Sequence, residues 1–205
     1  MGMGKIIVTV ISLILSTSVN ATLLSRLVGQ AYYDTVLDIT WLGDANYAMT
    51  SGYDDDGYMD WEDSLLWADQ LVYAGFDNWR LPSKKKTSDP FVETCIGYNC
   101  DDTEMAFMFY VNLGGDGGAT KLTGDQGPFV NIRPEYWADI VVDSEHSINY
   151  HFSDGIQFTH PNYNEFAVWA VMDGDIGAVP IPASVWLFCS GLLGLFGATR
   201  WKDRA

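Results

Sequence analysis

The chain has 205 residues, enough for one domain with a sizeable core and targeting segments at its ends. Its 20 glycines, 8 tryptophans, 11 tyrosines and 10 phenylalanines are typical of a turn-rich extracellular domain that contains β-sheet, not of a cytosolic helical enzyme. The formal net charge of −16 excludes nucleic-acid binding, because such a field repels phosphate. It favours either an acidic solubilising surface or a cation-dependent protein.

The N-terminus has the three-part layout of a secretory signal peptide. Lys5 supplies a positive charge, residues 6–15 form a short apolar run, and small residues lead to a cleavage point after Ala21. The run is too short to cross a hydrocarbon core of ~30 Å. We therefore predict that residues 1–21 are removed on export; the alternative is an N-terminal core helix.

An acidic loop follows a strand at residues 38–42, in which Ile39 and Trp41 face the core together. The loop matches part of the EF-hand spacing, with hard oxygen ligands around Gly57. The candidate Ca²⁺ ligands are the side chains of Asp54, Asp56, Asp60 and Asp63 and the carbonyl of Tyr58. The first loop position is a glycine and the last is a short Asp. The alternative is that Asp60 is the N-cap of a helix, Asp63 its capping-box partner, and residues 54–57 a plain turn.

The next two elements are a helix and a strand. Apolar residues at the helical period predict a helix from Trp61 to about Ala74, ended by Gly75. The stretch at residues 78–83 predicts a buried strand, with Trp79 and Leu81 on one face and Arg80 on the other. Pro82 ends the strand or makes it an edge, because proline lacks a backbone donor.

A polar insertion follows this strand. Its three lysines, residues 84–86, either hold an anionic polysaccharide or form a solvated loop. In an exported protein Cys95 and Cys100 are predicted to form a disulfide. The pair is a poor zinc site, because it has neither further cysteines nor a nearby histidine.

The remaining body predicts a second helix and several strands. Asp102 or Thr103 caps the helix, and Gly114 and Gly115 end it. Asp154-Gly155 predicts a type I′ hairpin between strands at residues 148–153 and 156–159. Residues 166–171 predict a last, largely buried strand.

The C-terminal segment, residues 176–205, is a second candidate targeting signal. Val179-Pro180-Ile181-Pro182 leads into an apolar stretch of marginal spanning length, residues 183–198, and a basic tail. This end resembles the PEP-CTERM sorting signals of Gram-negative bacteria, in the VP-x-PA-x-x-WLF-x-SGLLGL subtype. The resemblance implies transient anchoring in the inner membrane, cleavage by an exosortase, and release to the cell surface or biofilm matrix. Ile181 replaces the glutamate of the name-giving motif, and Cys189 lies where small residues are usual. The alternative is a permanent membrane anchor.

The body, residues 22–175, resembles the Lcl C-terminal domain family, formerly called DUF1566, over roughly residues 30–175. The carriers of the likeness are Thr40-Trp41-Leu42, Gly57-Tyr58-Met59-Asp60-Trp61, Asn78-Trp79-Arg80-Leu81-Pro82-Ser83, Gly97-Tyr98-Asn99-Cys100, Glu104-Met105, Tyr136-Trp137 and Phe166-Ala167-Val168-Trp169-Ala170-Val171. It implies a compact α+β domain with two helices and a twisted antiparallel sheet, related to C-type-lectin-like and formylglycine-generating-enzyme-like domains. The reactive cysteines of the latter are not recognisable here, so no activity is implied. Ala138-Asp139 departs from the pattern of many relatives and weakens the case for a polar site beside Tyr136-Trp137.

Three functions fit this sequence. The first is a non-enzymatic surface or matrix protein that binds glycan, with Tyr136, Trp137 and Tyr163 as candidate stacking residues. The second is a secreted hydrolase that uses paired carboxylates or a metal, with His146, His151 and His160 as candidate bases or ligands. No recognised hydrolase or phosphate-binding motif supports it. The third is a purely structural matrix protein.

Overall fold

Two five-stranded sheets and three short helices form the computed structural model, which describes residues 22–89 and 93–177. In chain order the strands are β1 (Leu23–Arg26), β2 (Ala31–Asp34), β3 (Ile39–Leu42), β4 (Tyr58–Met59), β5 (Trp79–Arg80), β6 (Gly124–Gln126), β7 (Phe129–Ile132), β8 (Glu135–Val141), β9 (His146–His151), β10 (Gln157–Pro161), β11 (Phe166–Ala167) and β12 (Val171–Asp173). The helices are α1 (Tyr47–Thr50), α2 (Trp61–Gln70) and α3 (Glu104–Phe107), the last continuing into a π turn (Met108–Asn112). A 3₁₀ turn (Leu27–Gly29) follows β1. The predicted signal peptide and nearly all of the predicted sorting segment lie outside the described residues.

The first sheet has the strand order β1-β2-β3-β12-β5, and the second has the order β10-β9-β8-β11-β4. Neighbouring strands are antiparallel except β8 and β11, which are parallel. Strands β6 and β7 form a separate hairpin. The predicted α+β class is confirmed, with more sheet than helix; the single antiparallel sheet of the prediction is two sheets with one parallel pair.

The stretch predicted as one last strand, residues 166–171, belongs to both sheets. Its first two residues form β11 and pair with β4 and β8, whereas Val171 begins β12 and pairs with β3 and β5. Val168, Trp169 and Ala170 connect the two strands and are fully buried. The Trp169 indole donates a hydrogen bond to the Leu42 carbonyl (2.8 Å) and packs edge-on against Trp41, so the crossover lies in the core between the sheets.

Helix α2 is shorter than predicted. Asp60 caps it by accepting a hydrogen bond from the Asp63 amide (2.9 Å), but Leu71 already has an extended backbone. Residues 73–76 then form a tight turn in which Ala74 and Gly75 both have positive φ. The helix therefore ends one turn before the glycine that was predicted to stop it.

The β9–β10 hairpin also has a longer turn than predicted. The strands stop at His151 and resume at Gln157, and the Gly155 amide donates to the His151 carbonyl (2.8 Å). Phe152 is fully buried and bonds through its amide to the Pro134 carbonyl (2.7 Å). Because its ring is buried in the core, Phe152 does not pair with β10, so a two-residue turn does not form.

Arg80 of strand β5 joins helix α3 to the first sheet. Trp79 and Leu81 are buried on one face, and Arg80 on the other face makes a bidentate pair with Glu104 (2.8 Å to each oxygen). Arg80 also donates to Asp173 (2.6 Å). Burial lowers the pKa of Arg80, but its bonds to these two carboxylates outweigh burial and raise that pKa above the ordinary value.

Candidate ligand-binding groove

The aspartates of the predicted Ca²⁺ loop bond to backbone amides of the loop itself. Asp54 Oδ1 accepts from the amides of Asp56 (3.1 Å) and Gly57 (2.7 Å), and Asp56 Oδ1 accepts from the Tyr58 amide (3.0 Å). These are turn-forming bonds of the kind that aspartate makes to residues two or three positions later. The side chain of Asp60 is the N-cap of α2.

The structure does not bring these carboxylates together as ligands. Among the acidic, cysteine and histidine side chains of residues 22–89 and 93–177, one group of three has all its ligand atoms within 4.8 Å of one another. It consists of Cys95, Cys100 and Asp102. Both sulfurs of that group are in a disulfide. Tyr58 lies in β4 opposite Ala167, with its ring beneath the Arg133 guanidinium.

Two of the three candidate stacking residues are inaccessible, and this part of the prediction is corrected. Tyr136 and Trp137 are fully buried, because the rings of Phe152 and Trp169 pack against Tyr136 and the ring of Phe166 packs against Trp137. The Tyr136 hydroxyl donates to the Ala45 carbonyl (3.0 Å), and the Trp137 indole donates to the Met59 carbonyl (3.1 Å). Both polar tips are thus used inside the core, and burial raises the pKa of Tyr136 well above its usual range.

Tyr163, the third candidate, is 80% exposed and lies at a groove of about 470 Å³. Three segments form this groove: the start of α2, the β8–β9 turn and the β10–β11 turn. We call it the Tyr163 groove. Its lining residues are Asp60, Glu62, Ser144, Glu145, His146, Pro161, Asn162 and Tyr163.

Backbone hydrogen bonds hold the three segments together. The Trp61 amide at the start of α2 donates to the Asn162 carbonyl (3.0 Å), and the Asn162 amide donates to the Glu145 carbonyl (2.8 Å). The Asn164 amide closes the β10–β11 turn by donating to the Pro161 carbonyl (3.0 Å). The groove is therefore formed before any ligand arrives, which lowers the entropic cost of binding.

The groove is acidic and has an aromatic rim. Glu62 and Glu145 are exposed and line it, and Asp143 contacts His146 of the lining. His146 Nδ1 is 2.9 Å from Asp143 Oδ1, which also accepts from the Glu145 amide (2.8 Å). The hydrogen bond from the Glu145 amide and the contact with His146 both lower the pKa of Asp143. The groove thus presents oxygen acceptors and one aromatic face to solvent.

The three histidines do not form one site. His146 lines the Tyr163 groove, whereas His151 and His160 stack on neighbouring strands with ring centroids 6.1 Å apart. His151 also lies near two carboxylates, 3.9 Å from Glu135 and 4.0 Å from Asp154.

The polar insertion carries two further predicted features. Cys95 and Cys100 are joined by a disulfide with Cα atoms 5.6 Å apart. Lys86 Nζ lies 3.8 Å from Asp173, and Lys85 Nζ lies over the Phe107 ring. These two lysines therefore contact the domain itself, which weakens the case for an anionic-polysaccharide site on this loop.

Sequence reasoning missed most of the groove. Glu62, Glu145 and Asn162 were not candidates, because they lie in three segments separated by up to 100 residues in the chain. The one local signal was the turn-forming run at residues 161–164, which places Tyr163 at an exposed tip.

The chain matches no protein-family model, and no curated protein or solved structure is similar enough to match it. Over the part of the chain that the structure describes, no helix has the length and apolar character needed to cross a membrane.

Proposed function

We propose that this is an exported, non-enzymatic protein of the cell surface or biofilm matrix that binds glycan through the Tyr163 groove. The signal-peptide layout and the sorting-signal resemblance support export. The resemblance to the Lcl C-terminal domain family, and through it to C-type-lectin-like domains, supports a binding role. In this proposal an exosortase is the processing partner of the C-terminal segment.

The observation that carries the proposal is an exposed ring beside exposed acceptors in one preformed groove. An aromatic face binds the C–H face of a sugar ring by apolar contact, while carboxylates and amides accept hydrogen bonds from sugar hydroxyls. Tyr163 supplies the ring, and Glu62 and Glu145 supply carboxylates at the opposite segments.

The acidic charge of the whole domain narrows the class of glycan that it can bind. Four bases and one acid of the whole chain lie in the two targeting ends, which leaves seven bases against 26 acids in residues 22–175. This surplus repels uronic-acid and sulfated polymers and favours neutral or amine-bearing sugars.

Retention on immobilised polysaccharide tests the proposal. We expect the purified protein to be retained on a neutral glucan or a deacetylated amino-sugar polymer, and not on a uronic-acid polymer. Tyr163→Ala should weaken retention about two- to tenfold, the range expected for one aromatic contact. Tyr53→Ala is the matched control, because Tyr53 is also exposed but lies outside the groove.

A pair of charge variants tests the acceptors. Glu62→Gln or Glu145→Gln should reduce retention, whereas Glu93→Gln, an exposed change elsewhere, should not. Absence of retention on every polymer would refute glycan binding and favour the purely structural matrix role. Equal losses from Tyr163→Ala and Tyr53→Ala would refute the groove as the site.

A further inference from the structure

The His160 ring lies in an aromatic environment on β10, directly before the turn that carries Tyr163. Its centroid is 4.9 Å from that of Phe166, 5.7 Å from that of Phe158 and 6.1 Å from that of His151. Contacts with three rings restrict its movement and remove it from much of the solvent.

One polar contact joins this ring to the turn. His160 Nδ1 lies 3.2 Å from Asn164 Nδ2. An amide NH₂ group only donates hydrogen bonds, so Nδ1 must present its lone pair, and the proton of the neutral ring is on Nε2. The bond spans the turn at residues 161–164, which Asn164 also closes through its backbone amide.

The titratable groups around His160 come from three elements. His151 on β9 is stacked against it, Glu135 on β8 lies 3.9 Å from His151, and Asp154 in the β9–β10 turn lies 4.0 Å from His151. Burial and the neighbouring His151 lower the pKa of His160, and Glu135 opposes them only in part. His160 is therefore neutral at pH 7, and the folded chain takes up its proton only below pH 6.5.

We propose that His160 is a proton-operated brace of the β10–β11 turn, and that its protonation releases the turn and weakens ligand binding in the Tyr163 groove. The last step rests on the proposed function; the brace itself does not. A proton on Nδ1 places two donors face to face, so the bond to Asn164 breaks. Asn162 keeps its backbone bonds to Trp61 and Glu145, so the loss of this bond loosens the part of the turn that carries Tyr163 and Asn164.

The direction of the pH effect follows from the lowered pKa. The unfolded chain binds a proton at its ordinary value of 6.5, whereas the folded chain binds it only at lower pH. Stabilisation by the neutral ring is therefore complete above pH 6.5 and is lost as the pH falls from 6.5 through the folded value.

Exchange of the Asn164 backbone amide measures the brace without any ligand. We expect the His160 ring to titrate below pH 6.5 by NMR. We also expect the protection factor of this amide to fall about two- to tenfold on complete titration, the change expected for one lost hydrogen bond. His146→Gln, which alters the groove histidine, should leave this response unchanged.

Two variants of the brace predict different outcomes. Asn164→Asp provides a carboxylate acceptor for the charged ring, so acid should no longer reduce the protection of the turn. His160→Gln should make the protection independent of pH over this range. An acid response that survives in His160→Gln, or a wild-type turn whose protection does not change as His160 titrates, would overturn the proposal.

Ligand retention separates the two proposals. With a bound polysaccharide as probe, retention of the wild type should fall in acid and that of Asn164→Asp should not. If no polysaccharide is retained at any pH, the proposed function fails, while the exchange measurement still decides whether the brace exists. Unchanged retention across a proven loss of protection would refute the coupling to the groove.

Discussion

Among the ion pairs of the described residues, Glu104 has the most deeply buried carboxylate, and Arg80 compensates its charge. Replacing Arg80 by methionine removes that compensating charge. The Glu104 side chain is 2% exposed, and its partners are the Arg80 guanidinium and the Ser83 amide (2.8 Å). Methionine keeps most of the apolar stem, so the change isolates the loss of the charge.

The expected cost is about 3–5 kcal/mol, the range for leaving one member of a buried ion pair without its partner. That is a large share of the roughly 5–15 kcal/mol that separates a typical folded domain from its unfolded chain. Asp173→Asn is the contrasting change, because this partner of Arg80 is 58% exposed and its ion pair is screened. We expect it to cost no more than about 1 kcal/mol.

Urea unfolding followed by tryptophan fluorescence measures both changes. With a slope of about 2 kcal/mol per molar urea, Arg80→Met should lower the midpoint by about 1.5–2.5 M without changing the slope. The double variant Arg80→Met/Glu104→Gln should recover part of the loss, because a neutral amide replaces the isolated carboxylate. A loss below about 1 kcal/mol in Arg80→Met, or no recovery in the double variant, would refute the argument.

Two further predictions concern individual carboxylates. Asp60→Ala should cost about 1 kcal/mol of stability, because the variant loses the N-cap of α2. Thermal unfolding should show the same cost with and without millimolar Ca²⁺. If Ca²⁺ stabilises the wild type and not the variant, Asp60 is instead a Ca²⁺ ligand. The hydrogen bond from Arg26 lowers the pKa of Asp175, so its stabilisation is present above about pH 3.8 and is lost as the pH falls through the folded value. The protection factors of the β1 amides, which correct for the pH dependence of intrinsic exchange, should therefore fall as the pH is lowered below about 3.8, and Arg26→Gln should weaken that fall; an identical fall in the variant would contradict it.

Features that depend on neighbouring residues were predictable from the sequence. The alternation of Trp79, Arg80 and Leu81 places two side chains in the core and one opposite, as the structure has them. Thr103 caps the second helix by accepting from the Ala106 amide (3.2 Å). Such features are predictable because capping and alternation are set within a few residues, whereas the α+β class was implied by the family resemblance.

Only the tertiary structure decided which aromatic residues are accessible. The sequence offers Tyr136, Trp137 and Tyr163 as equivalent aromatic candidates, yet two are buried in the core and one is exposed at the tip of a turn. The difference depends on which distant rings cover β8, and no local pattern encodes those contacts: Phe152 and Trp169 pack against Tyr136, and Phe166 packs against Trp137.

The groove was likewise decided by tertiary contacts. Asp60 and Tyr163 are 103 residues apart in sequence, and they meet because α2 is bonded to the β10–β11 turn through Trp61 and Asn162. The sequence by itself determined the helix caps, the strand alternation and the acidic charge, and the two terminal targeting segments stay predictions from it. The pairing of distant strands determined which side chains share a surface, because that pairing depends on the whole core at once.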